Sequence, residues 1–431
     1  MIIHVVQPGE TIYTIASDYN VDVTRLVEDN GLINSENLVV GQAIVIAYPD
    51  QVYIAQEGDS LESIARAFDV TRMQLLRNNP FLSDRDVIYQ GEVIYIRYHT
   101  QGNVSINAYT YPFINRSVLR KTLPYLTYLT IFNYRTVGVG EIEGSDDADI
   151  IKTAREYGVA PLMSLSTLTY QGTGNVEVVN SIIYNAANQD RHIDTILSII
   201  REKDYYGLNL SLANLNQQNV PAYENFITKL SSRLKAEGYL LFLTITPRII
   251  VSANEISFEQ IDYTVLGSQA DYIQILSYGW GSLAGPPAAI TSAYLTNLLL
   301  QSAVTMIPAG KIYSGISVIG YDWQSPYVLG VSRANSLSND AAIALAVQTE
   351  STIKFEENSQ APYFEYMSSV SGIQVRHIVW FSDARSIDSL VKFVPEYNIR
   401  GVGIWNIMSY FAQMWLVINC QYNITKIFPE T

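Results

Sequence analysis

A single cysteine, Cys420, stands among 431 residues, so no disulfide can form within the chain. Histidine is also scarce. Its four copies, at 4, 99, 192 and 377, are too scattered for a local metal motif, and neither metal nor cofactor is expected. Charged residues make up only 16%, with 27 basic against 41 acidic and a net charge of −14. This shortage of positive charge argues against nucleic acid or an anionic membrane as the main partner and favours a neutral ligand such as a glycan. No apolar run reaches the length of a membrane span; the stretch from Ile245 to Val251 is broken by Pro247 and Arg248. The opening MIIHVVQPGE lacks a basic segment followed by a long apolar one, so a standard secretion signal is not expected. What the chain does have is 48% apolar content, enough for a large core and two or three domains, and 31 tyrosines. Tyrosine joins a flat apolar face to a hydrogen-bonding tip, which suits sugar rings as well as half-buried packing.

An internal repeat opens the chain. His4-Val5-Val6-Gln7-Pro8-Gly9-Glu10-Thr11 is answered by Tyr53-Ile54-Ala55-Gln56-Glu57-Gly58-Asp59-Ser60, 53 − 4 = 49 residues on. Each copy continues with a helical apolar pattern, Ile12, Ile15 and Ala16 or Leu61, Ile64 and Ala65, before which Thr11 and Ser60 are suited to helix capping. A second helix ends near Asn30 or Asn79, and Gly41-Gln42-Ala43-Ile44-Val45-Ile46 or Gly91-Glu92-Val93-Ile94-Tyr95-Ile96 closes each copy as a strand. Residues 1–49 and 50–98 thus read as two small α+β units that resemble the LysM module. The resemblance implies binding of N-acetylglucosamine-containing polymers, peptidoglycan or chitin, in a groove between the first strand-helix loop and the loop after the second helix. By position it points to Gly9, Glu10, Thr11 and Asn30, and to Gly58, Asp59, Ser60 and Asn79. The same residue types also serve as plain turn and cap residues, and that alternative stays open.

Beyond a connector near 98–104, short apolar strands alternate with longer helical stretches, the pattern of a parallel α/β architecture. Strands are predicted at 107–110, 128–132, 160–165, 207–213, 240–246, 272–278, 314–319 and 401–407. Eight of them fit a (β/α)8 TIM barrel over residues 104–431, with an overlong connection at about 326–380 read as a small α+β insertion.

Several segments carry a second resemblance. Tyr206-x-x-Asn209, Ser277-Tyr278-Gly279-Trp280-Gly281 with Gly285-Pro286-Pro287, Gly320-Tyr321-Asp322-Trp323, Pro362-Tyr363-Phe364-x-Tyr366, the run from Trp380 to Ser386, and Gly401-x-Gly403-Ile404-Trp405 occur in that order. Together with the tandem modules they resemble family 18 glycoside hydrolases of the spore-cortex type, N-acetylglucosaminidases acting on cortex peptidoglycan. The resemblance implies that Tyr278 hydrogen-bonds the substrate acetamide and that Trp405 floors the sugar subsite at the cleaved bond. It further implies that Asp322 with Trp323 and Asp383 with Arg385 line or brace the cleft; for the latter pair a structural ion pair is an equal alternative.

The fourth strand departs from the family. Alternate residues on a strand point the same way, so Asn209, Ser211 and Ala213 share one face toward the barrel mouth. In the family the last of these positions is the Glu that protonates the glycosidic oxygen, and the one before it is the Asp that steadies the attacking acetamide. Ala213 and Ser211 supply neither carboxylate. Three functions remain open: a non-catalytic glycan-binding pseudoenzyme, a working glycosidase that recruits an acid from Glu141, Glu143, Asp146 or Asp147, and a structural protein of a spore coat or envelope. The resemblance places the protein at the spore cortex or coat, after synthesis in the cytoplasm.

Overall fold

The computed structural model describes residues 1–431 except 33–35, 86, 167–174, 213–214, 252–255, 371 and 429–431. In each N-terminal module two helices are held against a two-stranded antiparallel sheet, Ile2–Val5 with Ala43–Ile46 and Gln51–Ile54 with Val93–Arg97. Thr11 and Ser60 cap the first helix of each. Their hydroxyls accept from the amides of Thr14 and Ser63, whose own hydroxyls accept from the cap amides in return.

Eight parallel strands follow: β1 (Gly102–Thr110), β2 (Tyr128–Gly138), β3 (Ala160–Ser166), β4 (Gly207–Ser211), β5 (Leu240–Ile245), β6 (Tyr272–Ile275), β7 (Ile312–Ser317) and β8 (Gly401–Trp405). Each pairs with the next and β8 pairs with β1, closing the TIM barrel. Strand parity sorts the side chains. Ile106, Leu129, Met163, Leu208, Leu243, Ile273, Ile316 and Val402 face outward into the helix layer, where the main core sits. The alternate set fills the barrel. Tyr128, Phe242, Tyr272 and Tyr313 close the N-terminal end as an aromatic plug with ring centroids 5.0–6.5 Å apart. Above them lie Asn107, Thr130, Asn209, Thr244 and Gln274, all buried.

The insertion is a five-stranded antiparallel sheet ordered Asn335–Ser338, Ile319–Ser325, Ile373–Trp380, Ala361–Val370, Lys354–Glu356, with the helix Asn339–Gln348 on one face. It begins at Ile319, earlier than the predicted 326, because only Val318 separates its first strand from β7. Pro326 follows the end of that strand.

Both modules dock on the C-terminal helix Ala412–Asn419, every residue of which is buried. Gln413 donates to Ala43 O at 2.7 Å and to Asn30 Oδ1 at 3.2 Å in module 1, while Asn419 donates to Asn78 Oδ1 at 2.8 Å in module 2. Arg25 joins the modules, lying 3.8 Å from the Tyr95 ring centroid and donating to Asn79 Oδ1 at 3.2 Å.

Candidate functional site at the barrel mouth

Asn209 and Ser211 do share the inward face of β4. Asn209 is locked: its Nδ2 donates to Tyr109 Oη and to Thr130 Oγ1, both at 3.1 Å, and its Oδ1 accepts from Thr244 Oγ1 at 2.7 Å. Tyr109 Oη and Thr244 Oγ1 are 2.8 Å apart, and Thr130 Oγ1 donates to Asn107 Oδ1 at 2.8 Å. Burial raises the Tyr109 hydroxyl to about 12, so this network is neutral near pH 7. Asn107 Nδ2 and Gln274 Oε1 are buried in the same layer without hydrogen-bond partners among the described residues, the Gln274 amide resting where a side chain at Gly403 would collide with it at 1.8 Å. Ser211, one step higher, is half-buried and makes no side-chain hydrogen bond among the described residues. Ala213 lies outside the described residues.

The mouth is aromatic. Trp405, half-buried at the end of β8 and joined to Asn406 by a cis peptide, packs 5.5 Å from Tyr109, 5.4 Å from Phe132 and 6.2 Å from Tyr111. Phe113, 76% exposed, stacks on Tyr111 at 5.2 Å and extends this surface outward. Tyr278 follows β6 with its ring against Gly315, where a Cβ would come within 2.7 Å of Cε1. Desolvation, and to a lesser degree the neighbouring Tyr109, raise the Tyr278 hydroxyl well above the usual phenol range. It is a neutral hydroxyl with no hydrogen bond to any described residue.

Sequence reasoning missed Tyr109, Tyr111, Phe132 and the Asn107–Thr130–Thr244 network. Stepping by two along β1 and β2, the alternation applied to β4, would have reached Asn107, Tyr109, Thr130 and Phe132.

Asp322 and Trp323 lie on opposite faces of the inserted sheet. Trp323 is 1% exposed and its indole N–H donates to Gly285 O at 2.9 Å, pinning the loop after Tyr278. Asp322 turns to the other face, bonding His377 Nδ1 at 2.9 Å and accepting from Tyr366 Oη at 2.8 Å. Asp383 caps the helix Ala384–Val391 and pairs with Arg385, whose guanidinium also donates to Gly41 O at 3.1 Å. The Asp383–Arg385 pair therefore ties the barrel to module 1.

Asp147 is buried, accepting from Tyr134 and Tyr205 hydroxyls at 2.5 Å each and from Lys203 at 3.2 Å. Glu143 pairs with Arg135, and Glu141 and Asp146 are exposed. The hairpin carrying the first two leans on the helix Ala186–Lys203, where Thr195 Oγ1 donates to Gly140 O at 3.1 Å.

In the modules, Gly9 and Gly58 adopt φ of +85° and +89° in the first loop. Glu10 accepts from Gln7 N at 2.6 Å and His4 Nε2 at 2.8 Å; Asp59 likewise takes Gln56 N at 2.7 Å and Tyr53 Oη at 2.8 Å. Each loop amide holds its carboxylate below the usual range. Asn30 and Asn79 are inside the modules, exchanging hydrogen bonds with the backbones of Val45 and Tyr95.

A closed barrel with an inserted sheet against its mouth, behind two repeated modules, defines a glycosidase-type architecture, and sequence comparison agrees. Residues 150–409 match glycosyl hydrolases family 18, and residues 4–47 and 53–97 match the LysM domain; the chain belongs to family 18. It is similar to the cortical fragment-lytic enzymes of Bacillus anthracis (31% identity, 98% of each chain) and Bacillus subtilis (30%, 99% of each). The crystal structure of the Bacillus cereus spore cortex-lytic enzyme SleL superposes with a TM-score of 0.80 at 30% identity, covering 99% of both chains.

Proposed function

We propose that this protein binds N-acetylglucosamine-containing peptidoglycan of the spore cortex and that its barrel is catalytically impaired. The observation carrying this reading is the inward face of β4, where Asn209 is bound into a neutral network and Ser211 occupies the family's Asp position, with Ala213 two residues further along the sequence in place of the Glu. Substrate-assisted hydrolysis needs an acid for the leaving oxygen and a group that steadies the acetamide. Losing a positioned general acid alone costs roughly 10²–10⁴ in rate.

The grip is intact in this reading. Trp405 with Tyr109, Tyr111 and Phe132 gives a sugar ring an apolar floor, and the Tyr278 hydroxyl is free for an acetamide oxygen. Trp323, Asp322, Asp383 and Arg385 support the walls. In the modules, Gly9, Glu10 and Thr11, and Gly58, Asp59 and Ser60, form the glycan loops, while Asn30 and Asn79 hold the frame behind them. The relatives' names support a place at the spore cortex.

The test is a digestion of cortex fragments and chitotetraose. No product is expected from the purified chain, and product is expected from Ser211→Asp/Ala213→Glu. Turnover by the unaltered chain that copurifies with it through successive columns would overturn the impairment. Such a result would favour the alternative of an active lytic enzyme, which the relatives named as lytic over nearly their whole length keep in view.

A further inference from the structure

The two modules are not equivalent. In the closing motif, offset by 50 residues, Val39 corresponds to Tyr89 and Gly41 to Gly91. Val39 is buried against the inserted subdomain, and Ile353 N donates to Val40 O at 2.9 Å. A Cβ on Gly41 would sit 1.9 Å from Ile353 O. In module 2 the same corner stands free: Tyr89 is 60% exposed and a Cβ on Gly91 would meet nothing within 4 Å.

Docking gives module 1 a second wall that module 2 lacks. Between its two loops and the C-terminal end of the helix Asn339–Gln348 lies an open cleft of about 620 Å³. Glu36, Asn37, Gln348 and Thr352 line it with exposed side chains that make no hydrogen bonds among the described residues. Asn37 and Val347 also border a smaller chamber of about 240 Å³, whose apolar lining comes from Leu32, Ile343, Ala344 and Val347. Asp340 is the one carboxyl group lining that chamber, and it too has no hydrogen-bonding partner among the described residues. The cleft's volume falls in the ordinary range for small-ligand sites, and the chamber, smaller than a whole-ligand pocket, is of a size for one substituent.

An acetamido group asks for this combination: a small apolar space for its methyl, an acceptor for its N–H and a donor for its carbonyl. We propose that module 1 and the inserted helix form a composite site for an acetamido sugar, distinct from the barrel mouth. The acetyl methyl enters the chamber between Ile343, Ala344 and Val347, Asp340 accepts from the amide N–H, Asn37 Nδ2 donates to the carbonyl, and further sugars of the chain lie along Gln348 and Thr352. This inference rests on the reading that the protein binds N-acetylglucosamine polymers, and it assigns part of that binding to residues outside the module.

Calorimetric titration of the full chain with chitotetraose tests it, carried out in a Trp405→Ala background so that the barrel mouth contributes little. Ala344→Trp, on an exposed position of the helix, should fill the chamber and weaken one class of sites at least tenfold with an unchanged thermal midpoint. Asp340→Asn, which keeps the shape, should weaken the same class several-fold. The fully de-N-acetylated tetramer should not compete. If the background protein binds chitotetraose and neither substitution alters affinity or stoichiometry, the composite site is wrong while the binding reading stands. If the unaltered protein binds neither chitotetraose nor cortex, both fall.

Discussion

Buried polar residues carry much of the information in this molecule. Asn209 presents a carboxamide, which can donate to Tyr109 and Thr130 while accepting from Thr244; a carboxylate could only accept. Asn209→Leu strands these hydroxyls and should cost about 2–3 kcal/mol in chemical denaturation. His192 supplies a pH-dependent term. It is 3% exposed, Nδ1 has no partner among the described residues, and desolvation lowers its pKa to about 4 from 6.5. The folded state therefore binds fewer protons than the unfolded state between these values, so its contribution is complete above pH 6.5 and is lost as pH falls toward 4. His192→Leu should remove roughly 2–3 kcal/mol of acid destabilisation, read as a flatter thermal midpoint between pH 7 and 4.5. Asp340 has the opposite sign, because burial raises its carboxyl to about 6. Asp340→Asn should stabilise by about 1 kcal/mol at pH 7.5 and not at all at pH 4, the charge being partly screened and favoured by the helix N-terminus.

At the scale of elements, the duplicated modules make a controlled comparison. Gly41 and Gly91 have nearly the same backbone, φ of +87° and +89°, yet only Gly41 abuts another element. Gly91→Ala should cost about 1 kcal/mol for its backbone conformation. Gly41→Ala adds a collision with the Ile353 carbonyl and should cost about 3 kcal/mol, with module 1 loosened from the insertion. Hydrogen exchange at Ile353, whose amide donates to Val40, reads the difference. The repeat was legible because loop glycines, caps and closing strands recur in order; its unequal use was not, because docking depends on what lies across the gap. The barrel strands were likewise legible from apolar runs separated by helical spacing. The strand from Ile319 was hidden because it continues β7 with almost no break.

For the whole molecule, the interface matters most. A buried helix from the end of the chain holds both modules, and its polar ends, Gln413 and Asn419, meet related asparagine-rich corners in each. Domains in one chain move independently unless their interface is large and apolar. Here the full chain is expected to unfold in one calorimetric transition, whereas removal of residues 1–98 exposes the helix face and should leave a barrel with a lower midpoint and a tendency to associate. Two separate transitions in the intact protein would contradict the rigid arrangement. This rigidity sets the distance and angle between module 1, the insertion and the barrel mouth.

The sequence alone determined the repeat, the eight-stranded barrel and the uncharged side chains at positions 209, 211 and 213, because each depends on periodicity or on the identity of one residue at one register position. Only the tertiary structure decided which polar residues are spent on the frame. Asn30, Asn79, Asp147 and Asp383 carry groups capable of binding or chemistry, and each is occupied by a partner inside the fold. Tyr109 and Trp405, some 300 positions apart in the chain, meet because β8 closes against β1. Local pattern records which face a side chain takes; the company it keeps there comes from segments that meet only when the chain folds.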